Sequence, residues 1–474
     1  MYNRFQHSRF IRKALACITL ATFLFGLSGC GKKTPREALE EAYQKTFFTG
    51  SHSEALLGLT DINAKLKEQD AHSKGFSLTL QQVSGDELNQ YSGFLSGLGI
   101  SVDTASDLLN RKASGTMDIT YGGTTYLSLG GQIQNSKVHL FCPQLLHGSL
   151  MVNLNTIKED LASDSMIGQM LRDSGVTLPD NLVSELTNVF LNPTSLMDVM
   201  ELTSALEDLN EEIEVTKLKK KEISLPADVT AKNVYLVTVP KDAYADALLA
   251  STNALMDYYA SLAETLGETD TFDAEYEKAQ SKEEVKELSD ALGDIVLTVA
   301  VNKAGYICYV ESEAKYEEET LSLTAYLENT KEGHEEIELD LRVETEDNNI
   351  KMLTEYTFDT DSREIAVSSK LTEDNITLLS VACEGEFQDV KKGESYTLDF
   401  DFIEFEFENE LSVSMAGDCY IDTTRCDISA PSGTAYNVLT MTQSELTNLV
   451  TEIIINLQND PLLSGLLGNL DLDM

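Results

Sequence analysis

The chain has 474 residues, of which 79 are acidic and 35 are basic, so its formal net charge is −44. A surface of this sign repels nucleic acid and anionic lipid, and the charge therefore argues against a nucleic-acid-binding function. The length is ample for a large hydrophobic core and allows two or three domains.

Residues 1–29 combine the parts of an export signal. Four basic residues precede an apolar run from Ala14 to Leu27, and no acidic residue lies before Cys30. A basic start, a short apolar segment and small residues at its end are typical of a secretory signal peptide. A membrane-spanning helix is the alternative, but it needs about 20 apolar residues, and this run is shorter.

The sequence Leu27-Ser28-Gly29-Cys30 resembles the lipobox of bacterial lipoproteins. In that family the cysteine thiol receives a diacylglyceryl group, and a peptidase cleaves the chain just before it. The resemblance implies that Cys30 is the lipidated N-terminus of the mature protein. Residues 30–35 would then form the anchor and tether, and the protein would lie on the extracytoplasmic face of the cell membrane. The motif covers only the export signal and implies nothing about the fold that follows.

Residues 36–222 are predicted to form an N-terminal α+β region. Thr34 and Pro35 have the arrangement of a helix cap followed by proline in the first turn, so a helix is predicted to begin there. Strand-like runs separated by turn signals occupy residues 115–154. Apolar residues at helical spacing predict a helix within residues 157–171, and another helical stretch, interrupted at Pro193, is predicted from about Asn181 to Glu212.

Two mainly helical segments are predicted, one before and one after residues 295–430. Residues 223–294 are predicted to be a mainly helical insert, in which Val234–Val239 is strand-like and Pro240 opens a helix. Residues 431–474 are predicted to contain a helix from about Gln443 to Leu457, followed by a leucine-rich tail.

Residues 295–430 carry the clearest pattern, that of an antiparallel β-meander. In one segment every second residue is apolar and its neighbours are charged: Ile337, Leu339, Leu341 and Val343. This period of two indicates one buried and one solvated face. Turn signals recur about every ten residues, which predicts about nine strands. At Phe402 and Ile403 the alternation slips by one residue, which predicts a β-bulge that curves the sheet.

The predicted fold class is therefore α+β, with a large curved antiparallel β-meander sheet, half-barrel-like, and helices packed on one face. This outline is similar to that of bacterial envelope lipoproteins with LolA-like and LppX-like half-barrels, and to surface lipoproteins of Gram-positive Firmicutes. In the half-barrel relatives the concavity holds a lipid or another apolar molecule. The resemblance implies an apolar ligand, but it transfers no functional residue, because no motif beyond the lipobox is shared.

The sequence lacks the motifs of common catalytic and metal centres, among them H-E-x-x-H, G-x-S-x-G and G-x-G-x-x-G. His139 is interpreted as a solvated or hydrogen-bonded strand residue, and His334 as a solvated turn residue, since neither has a second histidine at a ligand spacing. Asp359, Asp361 and Glu364 resemble a calcium loop only superficially, because the required glycine is missing. No catalytic residue, cofactor or metal ligand is predicted.

Seven cysteines, an odd number without a Cys-x-x-Cys pair, do not indicate a disulfide framework. Cys419 and Cys426 flank Asp422-Thr423, and a hairpin turn there would place them opposite each other within disulfide distance. Two alternatives stay open for this pair, a disulfide or two free thiols. Three further cysteines of the exported chain have no predicted partner: Cys142, Cys308 and Cys383.

Two classes of function are compatible with these observations. The first is a membrane-anchored binding or carrier module for an apolar ligand or an envelope partner. The second is a non-enzymatic envelope scaffold or cell-surface interaction protein without a small-molecule site. A large apolar cavity would favour the first class, and a close-packed interior would favour the second.

Overall fold

The computed structural model describes most of the chain after residue 33. The described residues are 34–67, 71–85, 92–163, 165–166, 169–170, 173, 208–219, 223–266, 274–316, 319–329, 333–345, 348–408 and 410–459. The predicted signal peptide, the lipidation site Cys30, most of the predicted helix from 181 to 212 and the leucine-rich tail lie outside them.

The fold class is α+β, as predicted: a mostly antiparallel, open 18-stranded sheet with several helices. The strands of the described residues are β1 His72–Gly85, β2 Leu98–Asp107, β3 Lys112–Tyr121, β4 Thr124–Gln134, β5 Lys137–Phe141, β6 Gly148–Asn153, β7 Glu214–Leu218, β8 Asn233–Val239, β9 Ile295–Val301, β10 Ile307–Tyr316, β11 Glu319–Asn329, β12 His334–Glu344, β13 Asn349–Asp359, β14 Glu364–Glu373, β15 Ile376–Lys391, β16 Ser395–Phe407, β17 Leu411–Asp422 and β18 Thr434–Asn437.

The helices of the described residues are α1 Pro35–Gln44, α2 His52–Leu57, α3 Leu59–Lys67, α4 Ser92–Leu95, α5 Ile157–Ala162, α6 Lys241–Leu266, α7 Ala274–Leu292 and α8 Gln443–Asn459, and a π-helical turn spans Lys45–Thr49. In the part of the chain that the structure describes, no helix combines the length and apolarity that a membrane span requires. The predicted start of α1 is confirmed, because Thr34 and Glu37 form a reciprocal capping box with Pro35 in the first turn.

The residues fall into two compact units. The first unit contains the described residues up to Leu56, those from 208 to Glu384, and residues 405–408. Its strands β7 to β14 pair in chain order, each antiparallel to the next. On one face, side chains of α1 and α6 pack with the buried Val237 and Val239 in one hydrophobic core cluster. This is the helix-covered face that the period-two pattern predicts.

The second unit contains the remaining described residues, from Leu57 to 173, from Gly385 to Glu404 and from Glu410 onwards. Its strands pair antiparallel in the order β17, β1, β2, β3, β4, β5, β6, and β18 runs parallel to β6. Two small hydrophobic clusters stabilise it, one around Ile133 and Leu154 and one around Leu146 and Leu449 of α8.

The meander of nine strands is confirmed, since β9 to β17 lie between Ile295 and Asp422. Among its described turns, the tight turn after β14 has Asp374 and Asn375 at positive φ. The bulge at Phe402 and Ile403 stays a prediction.

Of the two alternatives left open for Cys419 and Cys426, the hairpin that would bring them together is not formed. β17 ends at Asp422, whose carboxylate accepts hydrogen bonds from the backbone N–H and the hydroxyl of Thr424 at 2.8 and 2.7 Å. This local turn ends the strand, and Cys419 pairs instead with Phe76 of β1. Both cysteines are free thiols.

The helix-covered core predicts a difference between two valine truncations on neighbouring strands. Val237→Ala should lower the free energy of unfolding by about 2 kcal/mol, because it removes two methyl groups from a fully buried site. Val296→Ala is the matched control: Val296 lies on β9 and is 38% exposed, so its loss should be within about 0.5 kcal/mol. Urea unfolding followed by far-UV circular dichroism measures both, and equal losses would contradict the burial of Val237.

Candidate functional site

A cavity of about 180 Å³ lies in the first unit. It is lined by residues from the segment between α1 and α2 and from the ends of strands β10 to β13. The apolar lining side chains are those of Phe47, Ile307, Leu327 and Ile337. The polar lining comprises Thr46, Ser51, Ser53, Glu328, Asn329, Glu335 and Tyr356. We refer to this space as the β12 cavity.

Two cross-strand rows of side chains on the core face of the sheet form one wall of the β12 cavity. Ile337 of β12 lies opposite Leu327 of β11 and Tyr356 of β13. Two residues earlier on the same face, Glu335 lies opposite Asn329 of β11. The alternation of the strands therefore places a carboxylate directly at the end of an apolar stripe.

The π-helical turn Lys45–Thr49 forms the facing wall and is fixed to the sheet by its side chains. The Thr46 hydroxyl donates to the carbonyl of Ala42 at 2.7 Å and accepts the backbone N–H of Ile307 at 2.8 Å. The Lys45 ammonium donates to the carbonyl of Ala304 and lies 4.4 Å from the centre of the Tyr306 ring. π-helical turns are rare and are frequent at functional sites.

Gly50 follows this turn at a position that no larger residue can occupy without a shift. A Cβ atom there would lie 2.5 Å from the carbonyl oxygen of Lys45 and 3.2 Å from the ring of Tyr306. The Tyr306 hydroxyl donates to the Gly50 carbonyl at 3.3 Å. The close approach lets the chain reverse immediately and begin α2 beside the cavity.

Glu335 is the chemically distinctive residue of the β12 cavity, because its side chain is a carboxylate in a position where only 7% of the residue is exposed. Its Oε1 accepts hydrogen bonds from the backbone N–H of His52 and, at 3.4 Å, from the side-chain amide of Asn329. Buried carboxylates need such donors, since an unsatisfied charged group is costly to bury.

The carboxylate of Glu335 contributes to a raised pKa of the neighbouring Tyr356 phenol. Burial, the largest cause, and the negative charge of Glu335 raise the pKa of Tyr356 to about 12, against the opposing effect of a hydrogen bond with Ser53. The phenol is thus a neutral group across most of the pH range and can donate or accept a hydrogen bond at the cavity surface.

The arrangement combines apolar walls with a few convergent polar groups, which is the usual composition of a small-molecule site. The geometry offers binding and orientation of a ligand. It brings together none of the candidate site residues that the sequence analysis considered.

The residues singled out from the sequence lie elsewhere and have local partners. His139 is buried, its Nδ1 lies 3.0 Å from the Ser149 hydroxyl, and burial followed by the charge of Lys137 lowers its pKa. Asp359 accepts the backbone N–H groups of Asp361 and Ser362, both at 2.9 Å. Cys30 lies outside the described residues, so lipidation there stays a prediction.

Glu335 was missed by the sequence analysis, although the sequence contains a signal for it. The charged turn at Gly333-His334-Glu335-Glu336 was interpreted as solvated. The stripe that begins at Ile337, extended back by one period of two, places Glu335 on the buried face and Glu336 on the solvated face. The signal for a buried carboxylate was therefore a charged residue at a position that the period of two assigns to the apolar face.

Comparison with known proteins gives no family assignment. No family model matches the chain, and no curated protein matches it. An engineered protein studied for asymmetric conductivity is 6% identical and has a TM-score of 0.17, over 74% of this chain and 98% of its own. The CymD monoaromatic hydrocarbon channel is 6% identical with a TM-score of 0.20, over 81% of this chain and 94% of its own.

A third similar structure is a double mutant of transferrin binding protein B from Haemophilus parasuis. It is 8% identical with a TM-score of 0.14, over 74% of this chain and 76% of its own.

The raised pKa of Tyr356 predicts a loss of stability at high pH. The pKa of about 12 in the folded chain lies above the ordinary value of 10.0. The neutral phenol therefore contributes fully to the free energy of unfolding below pH 10, and this contribution is lost as the pH rises through about 12. Titration of the ¹³Cζ resonance of Tyr356, assigned by its disappearance in Tyr356→Phe, measures the pKa directly. Glu335→Gln should move it part of the way towards 10, because burial remains. A wild-type midpoint at 10 would contradict the proximity of Glu335.

Proposed function

We propose that this chain is a membrane-anchored extracytoplasmic lipoprotein that acts as a binding module and holds a small, partly apolar molecule in the β12 cavity. The observation that supports the binding role is a cavity with apolar walls and a buried carboxylate at one end. The lipobox at Leu27-Ser28-Gly29-Cys30 supports the location. The proposed role is non-enzymatic and needs no cofactor.

The size of the β12 cavity limits the ligand. Sites for drug-sized molecules have volumes of about 300–1,000 Å³, whereas an apolar cavity of about 150 Å³ accommodates benzene. A volume of about 180 Å³ therefore suits a single ring or a short branched chain. We accordingly propose a small molecule, or one small group of a larger molecule, as the occupant rather than a whole lipid.

An envelope interaction protein is the second candidate, and helix α8 of the second unit favours it. Leu446, Leu449 and Ile453 of α8 pack into a hydrophobic cluster, yet Val450 and Ile454 are 45% and 47% exposed. Exposed apolar side chains that adjoin one another mark contact surfaces in many soluble proteins. The two candidates differ in whether the β12 cavity takes up a small molecule.

Benzyl alcohol is a suitable neutral probe for the β12 cavity. We expect saturable binding to the wild type, seen as shifts of backbone amide resonances of residues near the cavity. Leu327→Phe should weaken this binding at least tenfold, because the larger side chain fills space at the cavity wall. Leu321→Phe is the matched control, since Leu321 lies on the same face of β11 but does not line the cavity, and it should bind as the wild type does.

Two results would contradict the proposed site. One is the absence of saturable binding to the folded wild type, which would leave the interaction protein as the better description. The other is equal binding to Leu327→Phe and Leu321→Phe, which would place the bound probe outside the β12 cavity.

The anchor is tested by Cys30→Ser, which removes the thiol that the lipobox resemblance identifies as the acylation site. We expect the variant to stay unprocessed or to be released, whereas Cys142→Ser should remain in the membrane fraction and retain a mature N-terminus at residue 30. Membrane fractionation with mass measurement of the N-terminal peptide follows both. A wild-type mature chain that begins at another residue would contradict the proposed anchor.

A further inference from the structure

Glu335 faces the β12 cavity without a cationic partner. Its described hydrogen-bond donors are the backbone N–H of His52, the amide of Asn329 and the hydroxyl of Tyr356, all of them neutral groups. The neighbouring Tyr356 is neutral as well, because its pKa is raised to about 12. Among the ion pairs formed within the described residues, none includes Glu335.

Asp340 on the same strand shows how the chain pairs a buried carboxylate elsewhere. Its side chain is 10% exposed, and its Oδ2 lies 2.6 Å from Nη2 of Arg342 and 3.2 Å from Nζ of Lys351. Hydrogen bonding to Arg342, together with Lys351, lowers the pKa of Asp340 despite its burial. Asp340 and Glu335 are thus buried to a similar extent on β12, but of the two, within the described residues, only Asp340 has cations beside it.

A buried carboxylate is costly unless an opposite charge compensates it. The position that a compensating cation would take beside Glu335 is adjacent to the open volume of the β12 cavity. The apolar side chains of Leu327 and Ile337 line the same volume and suit a hydrocarbon group. The net charge of −44 also raises the local concentration of cations over that of anions.

We infer, on the basis of the proposed binding function, that the β12 cavity selects a small organic amine, with Glu335 as the counter-ion of its protonated amino group. The hydrocarbon part lies against Leu327 and Ile337, and the ammonium donates to the Glu335 carboxylate. The aromatic rings of Phe47 and Tyr356 also line the cavity, and aromatic rings attract a nearby cation. The structure favours an amine over a metal ion, because within the described residues no group of three or more His, Cys, Asp or Glu side chains could hold a metal.

Three probes of similar size and different charge test this inference: benzylamine, benzyl alcohol and phenylacetate. In the wild type at neutral pH, benzylamine should bind at least tenfold more tightly than benzyl alcohol, and phenylacetate should bind more weakly than either. This comparison needs no variant, so it does not depend on the folding of a mutant. Equal affinities of benzylamine and benzyl alcohol would overturn the inference.

Glu335→Gln and Glu336→Gln form a matched pair, since the residues are adjacent and lose the same charge. Glu336 lies on the solvated side of β12, with its side chain 54% exposed. Glu335→Gln should abolish the preference for benzylamine while retaining benzyl alcohol binding, and Glu336→Gln should retain the preference. A preference that survives Glu335→Gln, or that is lost in Glu336→Gln, would show that general surface charge selects the amine.

The failure of this inference is distinguishable from the failure of the proposed function. If benzyl alcohol binds and Leu327→Phe blocks it, the binding function stands whatever the preference for an amine. If none of the three probes binds to the folded wild type, the proposed function and this inference fail together.

Discussion

The burial of one face of the sheet beneath α1 and α6 is the constraint on which the rest of the first unit depends. Val237 and Val239 are fully buried beneath side chains of α1 and α6. Because side chains alternate between faces, a shift of one residue in the pairing of β8 would remove both valines from this core. The register that buries them continues through the antiparallel pairs as far as β13 and so determines that Glu335 and Tyr356 lie on the core face.

The β12 cavity lies where the α-helix that packs on this face, α1, is followed by a π-helical turn. α1 packs Leu39 and Ala42 into the core as a regular helix. The following π-helical turn contains one more residue per hydrogen-bonded ring, which alters the direction of the side chains that follow. Thr46 then bonds to the sheet at Ile307, and Gly50 allows the chain to reverse. The rows at Leu327 and Glu335 are thereby covered by a turn rather than by a close-packed helix.

Most of the fold could be predicted from the sequence, but the candidate site could not. The nine strands of the meander depend on local alternation and turn residues, which the sequence displays directly. The pairing of Cys419 with Phe76 joins strands far apart in the chain, and no local pattern predicts such a partner. The hairpin alternative for Cys419 and Cys426 is not formed because Asp422 forms its own turn with Thr424. Glu335 was not recognised from the sequence, because its burial depends on the long-range contact with His52.

The contrast between Asp340 and Glu335 explains why an imperfectly packed site can persist in a stable unit. Arg342 and Lys351 offset the cost of burying Asp340 within the protein itself. Beside Glu335, neutral donors offset only part of that cost, and the cavity removes packing contacts as well. A ligand that binds only the folded chain stabilises it by about 2.7 kcal/mol when its concentration is 100 times its Kd. A bound amine would supply both the missing charge and the missing contacts, so the stability of the first unit and the occupancy of the β12 cavity are thermodynamically coupled.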